Sequence, residues 1–188
     1  FKQITTFNTV EEIDAAEIQR TPLWTNLKPE HGPFDIIGDI HGCFDELTEL
    51  LEKLGYVIEI SPSIASSFPP EGGNPLRGIP PPLGLGEGPD PTFTVTHPEG
   101  RKVIFLGDLV DRGPKTPEVL RLAMDMVSAG IALCVCGNHD AKLMRKFKGK
   151  EVKLTHGLAE SVQQLEQVPS EFHQQALAFI DRLISHYV

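Results

Sequence analysis

At 188 residues, 40% hydrophobic and 23% charged, the chain has the composition of a folded globular protein and room for one domain, or one domain with an appendage. Its net charge of −9 excludes a protein that coats nucleic acid by electrostatics alone. No apolar run approaches the roughly 20 residues that span a bilayer, and the N-terminus lacks a signal-peptide pattern. The cysteines Cys43, Cys134 and Cys136 are odd in number and lie in or beside apolar segments, the usage of reduced core thiols in a cytoplasmic protein.

In chain order, Phe1 to Phe7 alternates like a strand. Thr9 and Glu12 then form a capping box for a helix from Val10 to about Gln19. Thr21-Pro22 and Lys28-Pro29 end that helix, so residues 1–30 read as the tail of a preceding domain and a linker. From residue 31 the pattern becomes strand, loop, helix. Apolar runs at Phe34 to Ile37, Val103 to Leu106 and Ile131 to Cys136 predict buried strands. Phe44, Leu47, Leu50, Leu51 and Leu54 predict a helix closed by Gly55, and Val119 to Val127 another, started by Pro117 and closed by Gly130. A last helix is expected from Glu171 onward, with no strand after it. The alternation predicts an α/β fold with a parallel sheet covered on both faces and ligands at the carboxyl ends of its strands. About 61–91 interrupts it with nine of the sixteen prolines and six glycines, a surface insertion, after which Phe93-Thr94-Val95-Thr96 returns to the sheet.

Each predicted strand runs into a short polar loop: Gly38-Asp39-Ile40-His41-Gly42, Gly107-Asp108-Leu109-Val110-Asp111-Arg112-Gly113 and Gly137-Asn138-His139-Asp140. Carboxylates and imidazoles at three strand ends of one sheet can build a two-metal hydrolytic centre. Asp39 and His41 can converge on a first metal, Asp108 can bridge, and Asn138 can offer its carbonyl oxygen to a second. Arg112 can take phosphate bidentately, as its planar fork does better than lysine. His139 can act as the general acid, oriented by Asp111. Lys142, Arg145, Lys146, Lys148, Lys150 and Lys153 then crowd twelve residues, and in that place Lys146 and Lys148 can contact a phosphate backbone.

Together the motifs Gly-Asp-x-His-Gly, Gly-Asp-x-Val-Asp-Arg-Gly and Gly-Asn-His-Asp resemble those of the calcineurin-like metallophosphoesterases. The resemblance implies a β-sandwich core flanked by helices, of which residues 31–188 form the N-terminal half. It implies two divalent ions, most commonly manganese, on Asp39, His41, Asp108 and Asn138. It also implies phosphate on Arg112 and His139 with Asp111 as an acid pair. Two further histidines, on later strands in the family, complete its second metal site; His156 follows too closely to serve, and His173 and His186 fall on the predicted last helix. Thr21-Pro-Leu-Trp24, His31 to Cys43 and Thr155-His-Gly-Leu-Ala-Glu160 further resemble the phosphatase module of bacterial polynucleotide kinase-phosphatases. That likeness implies flanking kinase and ligase domains and removal of 3′-phosphate, 2′-phosphate or 2′,3′-cyclic phosphate from RNA ends. The alternatives are a Ser/Thr protein phosphatase, a dinucleoside tetraphosphatase, or a catalytically inert metal-binding piece that self-associates through an open sheet edge.

Overall fold

The computed structural model describes residues 6–7, 9–14, 16, 25–62 and 91–188. Most of the strand expected at Phe1–Phe7, the Thr21–Trp24 stretch and the body of the Pro/Gly-rich segment lie outside those residues. The first helix, α1 (Val10–Asp14), starts where its cap predicts: the Glu12 N–H donates to Thr9 Oγ1 at 3.2 Å. The elements that follow are β1 (Phe34–Ile37), α2 (Phe44–Lys53), β2 (Val57–Pro62), β3 (Pro91–Thr96), β4 (Lys102–Phe105) and α3 (Thr116–Ser128). After these come β5 (Ala132–Cys134), α4 (Asn138–Phe147), α5 (Leu158–Glu166) and α6 (Ser170–Arg182).

The predicted α/β class and parallel sheet are present. The strands lie in the order β1-β4-β5, all parallel, with Ile37 beside Phe105 and Phe105 beside Cys134. Side chains alternate across a strand, so Ile37, Val103, Phe105, Ala132 and Cys134 share one face, and all are buried. Against that face packs α3, which carries Pro117 in its first turn and buries Val119, Leu120, Leu122, Ala123, Met126 and Val127. Each of the Val, Leu and Met side chains contributes about 1.5–3 kcal/mol by leaving water.

Four expectations need correction. The sheet is not covered on both faces: Ile36 is 65% and Leu106 52% exposed, so among the described residues the second face is open. Near-continuous apolar strands read as doubly buried, and the sequence alone does not say which face finds a partner. Phe93–Thr96 does not return to the main sheet. As part of β3 it pairs antiparallel with β2, an unpredicted strand, in a separate two-stranded sheet. The C-terminal part holds two helices, and α5 went unpredicted. Finally, α6 stops at Arg182 and the chain rejoins the sheet: Ile184 makes a parallel bridge with Val135, and the Cys136 N–H donates to the Ile184 carbonyl at 2.8 Å. His186 consequently lies beyond the helix and is exposed, whereas His173 is on it, edge-on to Phe147, with its Nε2 buried.

Candidate functional site

All three motifs sit at carboxyl ends of the parallel strands, where glycines let backbones touch. Gly137 abuts Asp108 so closely that an added Cβ would lie 2.1 Å from the Asp108 nitrogen, and one on Gly107 would lie 2.2 Å from the Gly137 nitrogen. Main-chain hydrogen bonds continue the contact. The His41 N–H donates to the Asp108 carbonyl at 2.9 Å, that of Gly42 to Leu109 at 2.8 Å, and that of Gly113 to His41 at 2.8 Å. Asp39, His41, Asp108, Asp111 and Arg112 all adopt positive φ, between 49° and 74°. Left-handed backbone is costly for residues other than glycine, and such strain gathers where geometry serves a site.

One ligand atom from each of His41, Asp108 and His139 lies within 4.8 Å of the others. His41 Nδ1 faces the Val110 carbonyl at 2.9 Å, so as donor there it leaves Nε2 with a free lone pair. That Nε2 is buried and has no hydrogen-bond partner. A buried, unpaired acceptor beside a carboxylate is what a divalent cation satisfies, so the donor set fits such an ion. His139 Nδ1 lies 2.7 Å from Asp111 Oδ2, the pair expected from sequence, and its ring meets that of His41 edge-on at 4.7 Å. Asp111 is completely buried.

The remaining predicted residues are placed differently. Asp39 lies two residues beyond β1, is exposed, and stands outside the grouping of His41, Asp108 and His139. Asn138 is exposed at the first position of α4, and Arg112 is exposed beside the buried Asp111. Lys146 is half-buried, while Lys148 is ion-paired with Asp181 of α6. Lys142 donates to the Thr155 carbonyl at 3.3 Å and hydroxyl at 3.0 Å. Part of the basic run is thus engaged within the protein.

Sequence reasoning gave no role to Asp140. Its buried carboxylate accepts from the N–H groups of Gly137 at 2.9 Å, Asp108 at 2.9 Å and Leu109 at 3.0 Å, tying the second and third motifs together. Burial pushes its pKa up, these bonds oppose that, and the charge of Asp108 adds to the rise. The signal was its place at the third residue of α4, where a carboxylate meets unpaired helix N–H groups. Burial, then the charges of Asp140 and Asp108, raise the Cys136 pKa.

A family profile described as calcineurin-like phosphoesterase matches residues 83–179, just over half of the chain. The bis(5′-nucleosyl)-tetraphosphatase PrpE (asymmetrical) of Bacillus subtilis strain 168 is 38% identical over 138 residues, covering 73% of this chain and 43% of that protein. The protein of the same name from Halalkalibacterium halodurans is 38% identical over 145 residues, 77% of this chain and 46% of its own length. That of Anoxybacillus flavithermus is 39% identical over 134 residues, 71% and 42%. The chain therefore spans less than half the length of these relatives. With its strand-end motifs assembled on a parallel sheet and a profile match across their second and third members, the chain belongs to the calcineurin-like phosphoesterases.

Proposed function

We propose that the chain carries the metal-dependent centre of a hydrolase that cleaves dinucleoside tetraphosphates. One observation carries the chemistry: ligand atoms of His41, Asp108 and His139 lie within 4.8 Å of one another, and the buried Asp111 carboxylate sits 2.7 Å from the other side of the His139 ring, at Nδ1. The names of the relatives support the substrate, in place of the RNA ends that the resemblance to kinase-phosphatases implies. A bound divalent ion, manganese in this reading, supplies Lewis-acid activation of a phosphoryl oxygen and of the attacking water. His41 and Asp108 would hold it, with Asp39 and Asn138 as further oxygen donors from the loop after β1 and the start of α4. Arg112 binds the non-reacting phosphate oxygens. His139, its ring fixed by Asp111, donates a proton to the departing oxygen. The free thiols Cys43, Cys134 and Cys136 suit a reducing cytoplasm.

A second reading, phosphate removal from RNA ends beside kinase and ligase domains, draws on the basic run of α4 and the loop after it. Arg145, Lys150 and Lys153 are exposed there. The test is manganese-dependent hydrolysis of diadenosine tetraphosphate against a 3′-phosphate RNA and a 2′,3′-cyclic phosphate RNA. A higher kcat/KM on the tetraphosphate is expected. Preference for an RNA end, lost when Lys146 and Lys148 are neutralised, would replace the first reading with the second.

A further inference from the structure

The turn bearing Asp111 and Arg112 is strained and largely buried from behind, so something must hold it. Both residues are left-handed, at φ 74° and 68°, and packed on them is a second left-handed pair, His156 at 62° and Gly157 at 90°. Gly157 lies so close that an added Cβ would sit 2.0 Å from the Arg112 nitrogen. From there α5 runs under the turn. Ser161, fully buried, accepts the Asp111 N–H at 2.8 Å, and its hydroxyl lies 3.2 Å from that of Thr116. Gln164 bonds at both ends of its amide: Oε1 accepts the Thr116 N–H at 2.8 Å and Nε2 donates to the Gly113 carbonyl at 3.1 Å. Lys142 holds the loop before α5 through Thr155.

We propose that α5 is a clamp on the catalytic turn, with Ser161 and Gln164 as positioning residues that keep Asp111 and Arg112 in their left-handed conformation, and Gly157 as the contact that fits against Arg112. Strained backbone of this kind persists only where its surroundings over-determine it. Here the surroundings are α5 and the glycine that precedes it, with three contacts to three successive residues: Gly157 to Arg112, Ser161 to Asp111, and Gln164 to Gly113. Ser161 acts on chemistry through Asp111 and so through the His139 ring. Gly157 acts through Arg112 and so through phosphate. The inference rests on the proposed roles of those two groups, and not on which nucleotide is the substrate.

The test separates positioning from mere stability. In Ser161→Ala, amide hydrogen exchange at Asp111 should rise about tenfold relative to Val103, whose amide in β4 reports on the sheet. With the protein manganese-loaded, turnover of an alkyl phosphomonoester should fall about tenfold while p-nitrophenyl phosphate, whose leaving group needs little protonation, falls less than about twofold. Ser161→Thr, which keeps the hydroxyl, should restore both. Should the added methyl prevent folding, Gln164→Met should give the same leaving-group signature as Ser161→Ala. Gly157→Ala should instead weaken inorganic phosphate binding. Parallel exchange at Asp111 and Val103, or equal loss on the two esters, would overturn the clamp. Wild-type protein inactive on every ester would sink the reading of the site, and the exchange measurement would still decide the clamp.

Discussion

Asp140 joins two motifs with one carboxylate, and its removal takes the acceptor from the buried N–H of Leu109 and the part-buried ones of Gly137 and Asp108. Asp140→Ala should therefore cost about 3 kcal/mol or more, read by denaturant unfolding, because hydrogen bonds to a charged group are each worth about 1.5–3 kcal/mol. A cost below about 1 kcal/mol would mean that the neighbouring loops hold each other without it. Asp125 on α3 is also a carboxylate raised by burial, with one backbone N–H to accept where Asp140 has three. Burial pushes its pKa up to about 6, against the Phe93 N–H that it accepts at 2.8 Å and the charge of Arg121. A carboxyl raised in the folded state favours the protonated form, so its stabilising contribution is full below the unfolded value of 3.8 and disappears as pH rises through about 6. Asp125→Asn keeps an acceptor for Phe93 without the buried charge. It should flatten the stability profile between about pH 4 and 6 and raise stability at pH 7 by on the order of 1–2 kcal/mol. An unchanged slope in thermal melts across that range would assign the pH dependence to other groups.

At the scale of elements, the asymmetry of the sheet makes a comparison. Leu122 of α3, the helix that packs on the covered face, is fully buried, and Ile36 of β1 is largely exposed on the open face. Leu122→Ala should cost about 2–5 kcal/mol, whereas Ile36→Ser should stay within about 0.5 kcal/mol. Similar costs would show that the open face is packed in solution. The same elements show what a sequence can reveal. Strands β1, β4 and β5 and helices α2 and α3 were legible because their apolar spacing, with Pro117 in the first turn of α3 and glycines after both helices, is local information. By contrast, α5 was not. Its core side includes a buried polar residue, Ser161, between Leu158 and Leu165, which breaks the apolar period. That serine is buried because it serves Asp111, fifty residues earlier in the chain.

The site of the whole molecule was legible to the same depth. Motif residues announce themselves by type and by their place after apolar runs, so the His139–Asp111 pair could be anticipated and is present. What supports them could not be anticipated, because the Val110 carbonyl on His41 and the Asp140 carboxylate on Asp108 and Leu109 depend on how distant loops meet. The distances in sequence have a kinetic consequence. His41 is fixed by a carbonyl 69 residues away and Asp108 by a carboxylate 32 residues away, so no contiguous segment carries the centre. Each contact requires a long loop to be closed first, an entropic cost that is met only as the parallel strands align. The centre is therefore a late product of folding: a collapsed chain with its helices formed but its strands unaligned would hold these side chains without the geometry that makes them a site.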